Sequence, residues 1–324
     1  MRRVRFHEYG GPEVLTLEEA DIPTPGPGQV LIRAEAIGAN FLDTRIRRGP
    51  GSGAIFQRPL PCTLSGDVVG TVEAFGPGVD PQQAGRKVAA LTEDAFADYT
   101  LADAQWLAPA PEGLDLGAAG MLPMGAPVAL RALRTGRLAK GETVLIHSAA
   151  GGIGHLAVQL ARILGAGTVI GTAGAPATLD FVRTCGADAA IDYTEDDWPD
   201  QVRAAAPQGV DVVIEAVGGE ILRRSLDVLA PFGRLVTYGA AGGDLAGIPV
   251  TSVFALKSVT GFAVTDWRTA APERARQEMT EMAGYSAAGQ LRTTVHTRLP
   301  LTEAAEAHRL LEERSQLGRI LLLP

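Results

Sequence analysis

The chain has 324 residues, of which 46% are hydrophobic and 20% charged, a composition that buries a large core and lies far from that of a disordered chain. Its length exceeds what one core usually supports, so two domains are expected. A net charge of -8 opposes unspecific attraction to a phosphate backbone or an anionic bilayer, which removes nucleic acid and membrane from the expected partners.

The start, Met1-Arg2-Arg3-Val4-Arg5-Phe6-His7-Glu8, carries positive charge without an apolar run behind it, and no uncharged apolar stretch reaches 18 residues, so a cytoplasmic location is expected. Cys62 and Cys185 lack CxxC spacing and suit two separate thiols in a reducing compartment.

Through about residue 115 the pattern is of short strands broken by Gly and Pro. Strands are predicted at Gln29–Ala36, Val68–Phe75, Lys87–Leu91 and Phe96–Leu101, with Pro23–Gly28 as an irregular link. From about Ala118, apolar β-branched runs alternate with helical segments, which is the order of βαβ units in a parallel sheet. Strands are predicted at Thr143–His147, Thr168–Thr172, Ala189–Asp192, Asp211–Glu215, Arg234–Tyr238 and Val259–Phe262, enough for a doubly wound sheet of six. A helix over Glu273–Ala283, the stretch Leu291–Arg298, a helix over Thr302–Arg314 and the apolar run Ile320–Leu323 do not continue that series. The simplest expectation is that the chain returns to its first domain. The boundaries so predicted are 1–118 with 265–324, and 119–264, with a cleft between them.

Thr143-Val144-Leu145-Ile146-His147 runs into Ser148-Ala149-Ala150-Gly151-Gly152-Ile153-Gly154, and apolar residues then recur at Ile153, Leu156, Ala157, Leu160, Ala161 and Leu164. Strand, glycine turn and amphipathic helix in this order make a dinucleotide site. Gly151 and Gly152 would let the backbone approach a pyrophosphate, the helix N-terminus would supply N–H groups and positive dipole, and Gly154 would permit close helix–strand contact. Ala149 stands at the first glycine of GxGxxG. The end of the second strand, Val169-Ile170-Gly171-Thr172-Ala173-Gly174-Ala175, has no acid to hold a ribose 2′-hydroxyl, which favours NADPH over NADH. Tyr193, after the third strand, could offer a phenol hydroxyl there or simply be a half-buried core tyrosine.

No metal is expected. Two cysteines cannot build a structural zinc site, and His7, His147, His155, His296 and His308 never fall into HxxxH or HExxH spacing. Each histidine is expected at the surface or in a strand. A GxSxG elbow is also missing, so the chemistry is expected to be the cofactor's.

Taken together, Asn40-Phe41-Leu42-Asp43, the run Ser65 to Val79, the run Gly141 to Gly154, Cys185-Gly186-Ala187-Asp188, Gly209–Val213, Gly233–Val236 and Gly318–Leu321 resemble the medium-chain dehydrogenase/reductase superfamily. Within it, the closest resemblance is to the zinc-free quinone oxidoreductase branch related to ζ-crystallin. In zinc-dependent relatives a cysteine lies near Asn40 and a His-Glu pair falls at Gly66-Asp67, so the ligands look replaced. The resemblance implies an α/β protein with a GroES-like β-rich domain, a Rossmann domain with a six-stranded parallel sheet, and hydride transfer from NADPH to a quinone or an α,β-unsaturated carbonyl.

It implies a cofactor site of Ala150, Gly151, Gly152 and Ile153 at the pyrophosphate, with Thr172, Gly174 and Tyr193 around the adenosine phosphate. Asn40 and Asp43 would stand near the nicotinamide, together with Val128, Tyr238-Gly239-Ala240 and Phe262-Ala263-Val264. Asn40 and Asp43 are the catalytic candidates: the Asn40 amide could stabilise charge on an acceptor carbonyl or only hold a loop, and Asp43 is expected as a ribose or loop partner. The chain departs from the branch at Thr178, where a lysine is common, at Gly51, and at Met124–Ala129, where Val128 replaces a threonine. A homodimer is expected through an edge strand such as Val259–Phe262. Reduction of an enoyl thioester or biosynthetic intermediate, and a non-catalytic NADPH-binding sensor or structural protein, are the alternatives.

Overall fold

The computed structural model describes residues 1–52, 57–244 and 247–324, and it divides into two compact units. The first comprises Met1–Pro127, Glu273–Glu313 and Arg319–Pro324; the second comprises Val128–Pro272 and Arg314–Gly318. The first unit opens with strands β1 (Arg2–Phe6), β2 (Thr16–Glu19) and β3 (Gln29–Gly38), then helix α1 (Phe41–Arg48). Strands β4 (Cys62–Thr63), β5 (Gly66–Phe75), β6 (Lys87–Thr92), β7 (Tyr99–Asp103) and β8 (Ala108–Pro109) follow, and then helix α2 (Leu116–Ala119). Helix α3 (Gly125–Thr135) carries the chain from one unit to the other.

The second unit alternates β9 (Thr143–Ile146), α4 (Gly154–Ile163), β10 (Thr168–Ala173), α5 (Pro176–Thr184), β11 (Ala189–Asp192), α6 (Trp198–Ala205), β12 (Val210–Glu215), α7 (Gly219–Val228), β13 (Leu229–Thr237), β14 (Ser258–Gly261) and α8 (Val264–Ala270). Its sheet runs β11-β10-β9-β12-β13-β14, parallel throughout. That order reverses direction beside β9, which is where open α/β sheets bind ligands at the carboxyl ends of their strands. The central strands are buried on both faces, as runs such as Val212-Val213-Ile214 require.

Helix α9 (Pro272–Ala287), strand β15 (Val295–Pro300), helix α10 (Ala304–Glu313) and strand β16 (Arg319–Leu323) complete the chain. Strand β16 pairs antiparallel with β3, Leu322 facing Ile37, so the last residues join the first unit's larger sheet. The core beneath that sheet gathers Phe6, Ile32, Ile37, Leu64 and Phe96. Each fully buried side chain of this size is worth roughly 1.5–3 kcal/mol of burial free energy.

One predicted strand is displaced. The pattern places it at Phe96–Leu101, whereas β7 begins at Tyr99. Phe96 and Ala97 are buried, but they lie in an irregular connection where the Ala97 amide donates to Ala95 O and Ala97 forms only an isolated bridge to Arg3. Apolar residues plugging a core imitate a strand in the pattern, while the backbone pairs with β1 only through one bridge, Val4 N donating to Phe96 O.

The expectation that all histidines lie at the surface or in strands fails for His147, buried just past the end of β9, and for His155 and His308, buried on α4 and α10. Burial, aided by the Arg47 charge, holds His308 at about 3, far below the usual 6.5. Below pH 6.5 the unfolded chain therefore takes up a proton that the folded chain refuses, and stability is lost as pH falls toward 3. In urea unfolding, the stability difference between His308→Leu and the natural protein should shift toward the variant by about 2–3 kcal/mol between about pH 6.5 and 4.5. A pH-independent difference would contradict the assignment.

Candidate dinucleotide site

The turn after β9 is shaped by its backbone. Ser148 is left-handed, with φ 51°, and its carbonyl accepts from Gly151 N at 3.0 Å. The same carbonyl makes Gly154 obligatory: a Cβ there would lie 2.1 Å from Ser148 O and 2.7 Å from Ala149 Cα. Gly151 and Gly152 are glycines for another reason. A Cβ on Gly151 would meet only Ser148 O at 3.3 Å, and one on Gly152 only Gly318 O at 3.7 Å, so a side chain at either would project into a space that the protein leaves open. No side chain caps α4 at Ile153, and the amides of Gly152 and Ile153 take no backbone partner among the described residues. A helix N-terminus left in this state is suited to an anion.

Ala149 departs from the glycine fingerprint without disturbing this cradle. Its methyl is buried against Gly171 of β10, where a Cβ would come within 2.9 Å of the Ala149 methyl. The space lacking at position 149 is supplied at position 171. A second support comes from the chain end: Gly318 N donates to Ala150 O at 2.8 Å, and Arg314 donates to Ala241 O at 3.1 Å. Residues 314–318 thus span from the glycine turn to the loop after β13. The sequence pattern gave no sign of this, because the segment lies far along the chain in an apparently polar helix end.

At the ends of β10 and β11, Gly174 and Tyr193 come together. A Cβ on Gly174 would stand 3.6 Å from the Tyr193 hydroxyl oxygen. Thr172 is turned inward, its hydroxyl 2.8 Å from His147 Nδ1, so its side chain is committed to the protein. Thr178 is also committed, its hydroxyl bonding the Ala175 backbone at the start of α5. Arg183 donates to Asp180 and to Ala190 O, at the other end of α5.

At the ends of β12 and β13, Tyr238 N donates to Glu215 O, and Ala241 N and Gly242 N to Ala216 O and Val217 O. These bonds fix Tyr238, Gly239 and Ala240. Glu215, which sequence patterning passed over, ends β12 as a buried carboxylate accepting from Val217 N, Gly218 N and Thr237 Oγ1; burial pushes its carboxyl up. Phe262 N donates to Thr237 O, and Ala263 begins α8 at Val264. Val128 is buried on α3; one turn later on α3, Arg131 lies 4.5 Å from the ring centroid of Trp267 on α8.

In the first unit, Asn40 precedes α1 in extended conformation and makes no side-chain cap. Asp43 is fully buried. Its oxygens accept from Ser65 N at 2.8 Å and from Ser65 Oγ at 2.9 Å, and burial pushes its carboxyl up to about 7 against the downward pull of those bonds. Nearby in sequence, a side chain at Gly66 is excluded, since a Cβ would lie 2.9 Å from Gly38 O and 3.0 Å from the Ala95 methyl. Asp67 is buried against Arg319, whose guanidinium also reaches Met121 Sδ at 2.9 Å. That guanidinium fills the space in which Gly38 would otherwise carry a Cβ, at 1.7 Å.

A parallel sheet ordered around β9, with an uncapped glycine turn opening α4, defines a Rossmann-type dinucleotide-binding protein carrying a second, GroES-like unit. Residues 26–112 match the alcohol dehydrogenase GroES-like domain, and residues 152–283 the domain described as zinc-binding dehydrogenase. The chain is 35% identical to a 2-haloacrylate reductase from Burkholderia sp, covering 98% of each chain, and 34% identical to a quinone oxidoreductase from Pseudomonas aeruginosa, covering 100% of this chain and 99% of the relative. Among solved structures it superposes on Escherichia coli quinone oxidoreductase complexed with NADPH with a TM-score of 0.89, at 29% identity and full coverage of both chains. The chain belongs to the medium-chain dehydrogenase/reductase superfamily, in its ζ-crystallin-like quinone oxidoreductase branch.

The zinc in one domain's description does not suit these residues. Backbone crowding at Gly66 forbids an imidazole, the Asp67 charge is matched by Arg319, and among the described residues no three His, Cys, Asp or Glu side chains assemble. A dinucleotide does suit them, because the open positions at Gly151 and Gly152 and the uncapped α4 are what a diphosphate needs.

Proposed function

We propose that this chain is a zinc-free, NADPH-dependent reductase that delivers hydride to a quinone or an activated α,β-unsaturated carbonyl compound. The observation that carries the proposal is the cradle at α4, where Gly151 and Gly152 leave open space and no side chain caps the helix at Ile153. Full-length similarity to a quinone oxidoreductase and to a 2-haloacrylate reductase supports the acceptor class, since both names denote reduction of an electrophilic conjugated system.

When bound, the reduced nicotinamide supplies the hydride. The protein's part is to bind, orient and stabilise charge. Ala150, Gly151, Gly152 and Ile153 grip the diphosphate through backbone amides; Gly174 and Tyr193 flank the adenosine phosphate. Thr172 acts there through its place in the buried network rather than by direct contact. Val128, Tyr238, Gly239, Ala240, Phe262, Ala263 and Val264 orient the nicotinamide. Asn40, whose amide is not spent on capping α1, offers N–H to the developing oxyanion, and Asp43 holds the α1 loop on Ser65 instead of serving as a proton donor. NADPH is favoured over NADH because β10 ends at Ala173-Gly174 without an acid.

Calorimetric titration with NADPH and NADH, followed by turnover with benzoquinones, enones and 2-haloacrylate, tests the proposal. Tighter NADPH binding and turnover with at least one acceptor are expected. Failure of both coenzymes to bind at millimolar concentration would end it, and binding without oxidation by any acceptor would favour a non-catalytic role. Asn40→Ala should lower kcat by about 10–100-fold at saturating NADPH, the usual range for one oxyanion donor being roughly 10²–10³-fold when it is fully buried. An unchanged rate would remove Asn40 from the chemistry.

The same reading includes a homodimer joined at the free edge of β14. Val250, Phe254 and Leu256, which precede that edge in sequence, and Phe232 of β13, whose N–H donates to Leu256 O, are 59–73% exposed, and an edge strand flanked by apolar side chains is suited to a second copy. Sedimentation should give twice the chain mass, and Phe254→Glu should shift it to one chain; a natural protein sedimenting as a monomer would exclude the dimer.

A further inference from the structure

We infer that His147 is a positioning residue for the phosphate-binding turn, acting as a neutral imidazole with its proton on Nε2. The inference rests on the cofactor reading above and adds to it the device that holds the turn in shape. His147 is the last residue before Ser148. Its backbone N–H donates to Ile214 O of β12 at 3.0 Å, and the amide two residues on, Ala149 N, donates to Thr172 O of β10 at 2.8 Å. Between these two bonds Ser148 is held at φ 51°, a conformation that a residue with a side chain keeps only when its surroundings enforce it.

The imidazole supplies part of that enforcement. It is fully buried, Nδ1 lies 2.8 Å from Thr172 Oγ1, Nε2 lies 2.8 Å from Ser225 Oγ, and its ring meets Trp198 edge-on at 5.4 Å. The proton positions follow from the far end. Ser225 Oγ has one hydrogen and donates it to Ile221 O at 2.6 Å, a carbonyl that can only accept. Toward His147 it must therefore accept, which places the ring proton on Nε2. Nδ1 is left with a lone pair, which accepts from the Thr172 hydroxyl. One assignment satisfies every group from Thr172 to Ile221, and burial keeps the ring from taking a second proton. The chain of bonds ties the end of β9 to β10 and α7, so the strand end cannot rotate without breaking two buried bonds. Ser148 O, which closes the turn onto Gly151 and bars a side chain at Gly154, is set by that strand end.

The test uses Ser225→Ala, which removes the Nε2 partner without adding bulk, with His147→Phe and His147→Gln beside it. Ser225→Ala and His147→Phe should raise the Kd and KM for NADPH about tenfold, with kcat at saturation changing much less. His147→Gln, whose side-chain NH2 can still reach Ser225, should recover part of the loss. Nitrogen-15 spectra of the labelled natural protein should show one imidazole protonated on Nε2 and unresponsive to pH from 7 to 5. NADPH affinity unchanged in Ser225→Ala, or a proton on Nδ1, would overturn the assignment. If His147→Phe does not fold, Ser225→Ala and the spectrum still decide it. A natural protein that failed to bind NADPH would instead sink the functional reading, and so the two failures are distinguishable.

Discussion

Gly154→Ala should all but abolish NADPH binding, raising Kd by 100-fold or more, equivalent to about 2.7 kcal/mol. The added methyl would lie 2.1 Å from Ser148 O and 2.7 Å from Ala149 Cα, and both are backbone atoms of the turn itself. Neither can rotate away, so either Ser148 leaves its left-handed conformation or α4 separates from β9. Both outcomes rearrange the amides that would face a diphosphate, and both should lower the thermal midpoint. Gly152→Val provides the contrast. Its Cβ meets only Gly318 O at 3.7 Å, so the fold should keep its midpoint while the side chain fills the cradle and weakens binding. Thermal unfolding and calorimetry on the two variants separate a glycine needed by the fold from a glycine needed by the ligand. Gly154→Ala binding within threefold of the natural protein would contradict the packing argument.

Arg319→Met should destabilise the first unit by about 3–5 kcal/mol, because it removes the buried guanidinium that matches the Asp67 charge. A loss of this size lowers the thermal midpoint by on the order of 10 °C. Gly38 offers no compensation, since its missing side chain only makes room for the guanidinium. The double variant Asp67→Leu/Arg319→Met should recover much of the loss, because replacing both members of a buried ion pair by apolar groups of similar volume is often nearly neutral. A double variant less stable than the single one would show that the pair contributes more than mutual neutralisation. Urea unfolding of both variants measures the difference.

The sequence was most legible where local order carries the information. The Thr143-to-Gly154 run of strand, glycine turn and amphipathic helix needs only neighbours along the chain, and it reappears as β9, the turn and α4. The six parallel strands follow for the same reason, as the runs are separated from one another by a helix or a longer connection and the central ones are buried on both faces. Two cysteines, and histidines without HxxxH or HExxH spacing, likewise gave no zinc signature along the chain. Where apolar residues fill a core with only a single bridge to a neighbouring strand, as at Phe96 and Ala97, pattern alone was misled.

Order along the chain thus specifies the cofactor-type turn, the alternating architecture and the residue types available for chemistry. How those residues are used depends on long-range packing. Ala149 fits because Gly171 yields space 22 positions later; Asp43 is spent on Ser65, Asp67 on Arg319, and His147 on Thr172 and Ser225. These partners lie 22 to 252 residues apart. No periodicity reports such pairings, because a buried polar group is satisfied by whichever donor the packed chain brings to it, and that choice is made by the closing of the sheets rather than by spacing along the backbone.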